Sequence, residues 1–433
     1  MLLCKVFRVA TFVLFTTHIL GGKGEFMNAE EIIQQVERDA HALMEKHHIS
    51  YETGFLAPRN TDYFLPRDFV DLERNAYFLR LEHATRMLPE LTRNRGVVRA
   101  VEALEVPSWS FNDLSRENQY MLMLELTMLA HAAFHEQLGY QTVRDLYTDE
   151  SEKYLWPQLA KPIWELSQIT GIDPTMAYWL YGKWNKCLKD PRGPHTPDNL
   201  EPLFTFTGGE TEKWFVAVHH AAEAKLALGV PSQLKAYLLS QYSSEVPIKY
   251  LRLYLWTSAI AILNAVGELK RMREHLDPFT YFEQVRMFYA WPRNVVYVGV
   301  VELGGVGQNY DGETGGGSAA HHLGDAMTGV EHRDESKIYI QARRRQMPRD
   351  VRELLDEVEQ NSRVRELVLA HRANDELVMD FNMNLFAKLD WRMEHRGLVL
   401  ESISQYGDSR GTANPALTLI DNMIEDTRAS LLH

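Results

Sequence analysis

The sequence predicts an all-α protein of two helical domains, on three observations. Apolar residues recur at three- and four-residue steps along most of the chain. Alternating runs of the kind that make half-buried strands are scarce, and VVYVGVVEL at 295–303 is the best candidate. A stretch with three prolines, 190–197, interrupts the helical pattern. That break predicts a smaller helical domain over 27–200 and a larger one over 201–433. Internal repeats and low-complexity tracts are absent from the sequence.

Composition narrows the class. The 433 residues are 45% hydrophobic and 24% charged, the balance of an ordinary globular chain long enough for two cores. A formal charge of −13 argues against nucleic acid as a partner, because phosphate contacts need a basic face. Arg343-Arg344-Arg345 is the one dense basic cluster and reads as a solvated helix face. Cys4 and Cys187 are too few for a disulfide framework, which points to a reducing, cytoplasmic setting.

Residues 1–26 stand apart. Two basic residues and an apolar run loosely mimic a secretory signal, but His18 interrupts the run and a small-x-small cleavage site is lacking. Met27 opens an amphipathic helix and is the expected functional start, with the upstream piece a misassigned start or disordered extension; a cleaved signal is the alternative. No later stretch is apolar for long enough to span a bilayer, so no membrane association is expected.

The elements follow in order. Helical periodicity covers 31–48, 68–87, 118–134 and 351–370, with breakers at Ala57-Pro58 and Val106-Pro107. Tyr178, Trp179, Tyr181 and Trp184 form an aromatic cluster on a helix, read as core ahead of pocket lining. In WFVAVHHAAEAKLAL, the residues Phe215, Val218, His219, Ala222 and Leu226 share one face, which makes His219 a candidate for a cofactor pocket. His220 with Glu223 completes an HHxxE spacing, and His321, His322 and Asp325 give HHxxD, so a non-heme metal site competes on spacing alone.

Over 277–291, Arg286 lies among Tyr281, Phe282, Phe288, Tyr289 and Trp291. A guanidinium so placed needs an anionic partner. An internal carboxylate and a bound ligand's carboxylate suit its planar fork equally. ETGGGSAAHH at 313–322 lets backbone approach a ligand closely but lacks the lysine of a phosphate-binding loop. Over 380–403, Phe381, Leu385, Leu389 and Trp391 form an apolar stripe. It leads to His395, flanked by Leu398 and Val399. A histidine there suits a heme iron in a dry pocket, against the commoner reading of a core histidine. A flexible SRGTANP segment at 409–415 precedes a last helix that runs to Leu432.

Several of these stretches, taken in order, resemble the indoleamine 2,3-dioxygenase family. They are LAKPIWELSQITGIDPTMAYWLYGKWNKCLKDPRGP, LFTFTGGETEKWF, HLDPFTYFEQVRMFYAW with VVYVGV, GGGSA, EHRGLVLESI and RGTANPALTLIDNMIEDTRASLL. The resemblance runs from about Tyr51 to Leu432. It implies heme b, an aromatic substrate, dioxygen and an electron donor that keeps iron ferrous. It also implies insertion of both oxygen atoms at the indole C2–C3 bond of L-tryptophan or a related indoleamine, giving N-formylkynurenine.

Carried across by resemblance, His395 is the proximal iron ligand and Arg286 pairs with the substrate carboxylate. Tyr281 stands where the family has an aromatic over the distal pocket, and Phe215 matches a distal-wall phenylalanine; Tyr289 joins them as a substrate contact. Gly316, Gly317, Ser318 and Ala319 match the loop beside heme and substrate, with Gly317 and Ser318 on the cofactor side. Arg410, Gly411 and Thr412 begin the loop that closes over substrate.

Two departures bear on specificity. His219 stands where the animal enzymes have a small serine, as in the tryptophan 2,3-dioxygenases, whose distal histidine lies near the indole nitrogen. The closing loop reads Gly-Thr-Ala-Asn in place of Gly-Thr-Gly-Gly. The alternative activity is therefore a same-fold heme oxygenase acting on another aromatic amino acid or indole.

Overall fold

The computed structural model describes residues 28–58, 72–139, 142–242, 246–408 and 416–433. The extension over 1–26 and the loop residues Arg410, Gly411 and Thr412 lie outside the described residues. The all-α expectation is met.

The chain begins with α1 (Ala29–Lys46), started by a reciprocal capping box. The Asn28 side chain accepts from the Glu30 and Glu31 amides, and the Glu31 carboxylate accepts from the Asn28 amide. Next come α2 (Leu72–Arg86) and α3 (Arg116–Leu138), the latter buried on all sides from Gln119 to Phe134. The strand β1 (Lys153–Leu155) and α4 (Pro157–Thr170) follow, then α5 (Glu210–Ala227), α6 (Val230–Leu239) and α7 (Ile248–Lys270). The strand β2 (Val295–Tyr297) pairs in parallel with β1. It is the front end of the one strand the sequence predicts; from Val301 that stretch leaves the extended path and turns into a single 3-10 turn.

The C-terminal part holds α8 (Ala319–Thr328), α9 (Asp334–Arg344), α10 (Arg349–Asn361), α11 (Val364–Ala370), α12 (Asp375–Ser402) and α13 (Ala416–Ala429). The most extensive helix contact is between α7 and α12, and α5 and α13 pack beside this pair. One apolar cluster reaches from Ile32 on α1 to Ile424 on α13. None of the described helices is long and apolar enough to cross a membrane.

Two local readings need correction. The helix expected over 351–370 is two helices, because Ser362 turns extended and gives its hydroxyl to the Met327 carbonyl. Arg343 and Arg344 are buried, not solvated. Arg343 pairs with Asp311 and donates to Gln346 at 3.0 Å, while Arg344 reaches Asp356 at 2.7 Å and Glu359 at 2.6 Å. Buried guanidinium groups persist only with such partners. Arg345 alone keeps the exposed position expected of all three.

Candidate active site

Four segments converge on one cavity of about 1240 Å³. The first is α12, capped by the Asn374 side chain, which accepts from the Leu377 amide. Its buried stripe continues through Leu385 and Leu389, so Trp391, His395, Leu398 and Val399 reach the cavity wall. His395 makes no hydrogen bond among the described residues, and burial pulls it down to about 4, so it is neutral at physiological pH. His219, on the second segment, lowers it further.

That segment is α5. His219 Nδ1 lies 2.8 Å from the Phe215 carbonyl one turn earlier. Since a carbonyl only accepts, Nδ1 carries the proton and Nε2 keeps its lone pair. Burial lowers the pKa of His219, with the Phe215 hydrogen bond opposing. Its neighbour His220 faces away and holds the Asn185 carbonyl at 3.0 Å.

The third segment carries the aromatic wall. Phe215 stacks on Tyr281 at 4.9 Å and on Tyr289 at 5.4 Å between ring centroids, and the Tyr178 ring meets the His219 edge at 6.0 Å. Tyr281 opens a five-residue π turn, Tyr281–Val285, closed when the Arg286 amide donates to the Tyr281 carbonyl. Such insertions in helical turns are common where side chains must be re-aimed. Arg286 is 1% exposed, its Nη1 lies 2.9 Å from the Asp408 Oδ2, and its guanidinium sits over the Phe282 ring. Unlike Tyr281, it is not part of the cavity wall.

The glycine stretch is the fourth. Gly315–Gly317 form a 3-10 turn, and a Cβ on Gly317 would come within 2.8 Å of the Tyr178 side chain. A Cβ on Gly316 would come within 2.1 Å of the Tyr339 hydroxyl, so both positions need the bare backbone. Ser318 lines the cavity, whereas Gly317 and Ala319 lie behind it.

The sequence reading missed two contributors. His322, unassigned there, braces this turn by placing its Nε2 2.9 Å from the Gly316 carbonyl. Glu313 lines the cavity beside the tyrosines; it is 3% exposed, and burial pushes it up to about 8, with Arg343 opposing. The glycines drew attention to the stretch; nothing local signalled that its leading acid is buried. The aromatic cluster divides as well, since Trp179 and Trp184 pack on Tyr120 in the core while Tyr178 joins the cavity.

The expectation of a possible non-heme metal site fails among the described residues, where no three His, Cys, Asp or Glu side chains group to hold an ion. Glu223 accepts from the Tyr178 hydroxyl at 3.1 Å and pairs with Lys183. Asp325 is held by Arg392, Lys388 and His332. Both acids are turned to cations, away from their histidines.

The donor set does fit heme. A neutral imidazole free of protein hydrogen bonds, apolar walls from Leu269, Met272, Leu398, Val399 and Ile420, and a cavity of this size suit a planar iron porphyrin. An all-helical chain with such a cavity has the makings of a heme protein. Comparison with known families matches residues 43–416 to the one described as indoleamine 2,3-dioxygenase, and the chain belongs to that family. Among curated relatives it is 28% identical to indoleamine 2,3-dioxygenase 1 of Rattus norvegicus over 376 residues, covering 82% of this chain and 84% of the relative. It is 29% identical to indoleamine 2,3-dioxygenase 1 of Mus musculus, with the same coverage. It is also 24% identical to a myoglobin of Haliotis madaka, covering 84% of this chain and 90% of that protein. The protein is thus a heme-dependent oxidoreductase of the dioxygenase class, with heme b as its cofactor and dioxygen and a small molecule as its substrates.

Proposed function

We propose that heme b is held through His395 and that the protein inserts both atoms of dioxygen into the indole C2–C3 bond of L-tryptophan or a related indoleamine, giving N-formylkynurenine. The observation that carries this reading is the pairing of two neutral histidines, His395 on α12 and His219 on α5, at one cavity. When bound and kept ferrous by an electron donor, the heme supplies the activation of dioxygen.

The chain's residues bind, orient and exclude water. His395 offers a lone pair to iron without first losing a proton. His219 offers the Nε2 lone pair to the indole N–H, because its other nitrogen is committed to the Phe215 carbonyl. Phe215, Tyr281 and Tyr289 supply flat faces for the indole ring. Ser318 borders the cofactor with Gly317 and Ala319 behind it, and Gly411 and Thr412 belong to the closing loop. Arg286, behind the wall, is the cation that the family resemblance offers to a substrate carboxylate. The catalytic part lies in 201–433, with 27–200 as the smaller domain, and the scarcity of cysteine supports a cytoplasmic setting.

The test is the product mass after reduced, heme-loaded protein meets L-tryptophan and labelled dioxygen. Two labelled atoms in a formylkynurenine are expected. One labelled atom would instead support the same-fold monooxygenase, and a stable oxygen adduct with no product from any indole would support an oxygen-binding role. That second reading is favoured by the similarity to a protein named myoglobin.

A further inference from the structure

Arg286 is the group the family resemblance assigns to the substrate carboxylate, yet here a carboxylate from the chain already occupies it. Arg286 and Asp408 approach to 2.9 Å, with side chains 1% and 13% exposed. Another buried guanidinium, Arg343, is engaged by Asp311 and Gln346. The cavity wall also carries a buried acid, Glu313. Glu313 is close enough to Tyr178, Tyr181 and Tyr281 to act on each electrostatically.

We infer that Asp408 is a specificity-determining residue which, by neutralising Arg286 from within the chain, makes the site select a cationic indole amine over a zwitterionic indole amino acid. The inference rests on the proposed indole-oxidising function. A substrate carboxylate reaching Arg286 has to displace a carboxylate tethered to the same chain, which competes at high effective concentration. The exchange trades one charge-assisted pair for another and leaves Asp408 to be rehydrated or repaired elsewhere. An amine lacking the carboxylate leaves the Arg286–Asp408 pair intact. Tryptamine and L-tryptophan differ only by that carboxylate, so their ratio isolates the effect.

The experiment uses the heme-loaded full chain and measures both kcat/KM and equilibrium binding, read from the shift of the heme absorption band, for tryptamine, L-tryptophan and indole-3-propionate. Wild type is expected to favour tryptamine over L-tryptophan and over indole-3-propionate by about tenfold or more, the worth of one charge-assisted hydrogen bond. Asp408→Asn frees the guanidinium and is expected to move the ratio toward L-tryptophan by about ten- to a hundredfold, and to strengthen indole-3-propionate. Asp408→Glu, which keeps the charge, should keep the wild-type preference.

A wild type that prefers L-tryptophan overturns the inference, and so does a ratio that Asp408→Asn leaves unchanged. Should Asp408→Asn lose heme, the wild-type ratio and the Asp408→Glu variant still decide. If binding follows the expected order while no indole is oxidised, the selection stands and the proposed reaction fails. If both indoles are oxidised with a ratio indifferent to residue 408, the reverse holds.

Discussion

Two stretches with the same spacing, HHxxE on α5 and HHxxD on α8, have different roles in the folded protein. On α5 the first histidine faces the cavity with a fixed tautomer, and Glu223 turns to Lys183 and Tyr178. On α8 the first histidine, His321, packs at a tilt against Trp391 with ring centroids 4.3 Å apart, and the second braces the glycine turn. Asp325 there anchors Arg392 and Lys388. Burial pushes the Asp325 carboxyl up, but Arg392, Lys388 and His332 outweigh it and hold it well below the usual range. Identical spacing fixes which side chains share a helix face. What each does is set by the partners that other segments bring.

The sharpest way to break this comparison is to remove the histidine that belongs to neither pair. His395→Ala is expected to abolish heme retention, whereas His219→Ala and His321→Ala keep it, as read by the heme-to-protein absorbance ratio. Retention in His395→Ala would move the iron to one of the paired histidines.

The two acids come next. Glu223→Gln strands Lys183, and Asp325→Asn strands Lys388 and Arg392, all buried. Each change is expected to cost about 3–5 kcal/mol in urea unfolding, the usual penalty for a buried charge left alone. A loss below about 1 kcal/mol would mean that water reaches the stranded cation.

Between the first histidines the contrast should be kinetic. His219→Ala should lower kcat/KM by about ten- to a hundredfold, because a positioned acceptor for the indole N–H is lost. His321→Ala loses one ring contact, expected to cost about 0.5–1.5 kcal/mol of stability with kcat/KM little changed. Equal kinetic losses in the two variants would erase the distinction.

A further effect is a pH dependence of apoprotein stability. Burial draws His322 from 6.5 down to about 4, so between those values the unfolded chain binds a proton that the folded one refuses. Stability from this group therefore falls as pH drops from about 6.5 toward 4. Glu313 is pushed from 4.5 up to about 8, so the folded form keeps a proton that the unfolded form releases. Its contribution falls as pH rises from about 4.5 to 8. Urea midpoints across this range should rise and then decline, and Glu313→Gln should flatten the alkaline side.

Much of the helical framework was legible in the chain alone, because the signals are local. Asn28 and Glu31 start α1 within three residues of each other, and the stripe from Phe381 to Val399 delivers His395 to one face of α12. The shared face of Phe215 and His219 is likewise a matter of one helical turn. The burial of Arg343 and Arg344 was not legible, since Arg343 depends on Asp311, 32 residues earlier. Nor was the state of Arg286, whose sequence allowed either a ligand or an internal partner. Asp408, 122 residues away, supplies the internal one.

The sequence by itself determined the helices, their apolar faces and the residue types available to a heme site, because periodicity and capping act over one or two turns. Only the tertiary structure decided which acids neutralise which cations. Those outcomes rest on contacts between segments far apart in the chain, where burial makes each missing partner costly.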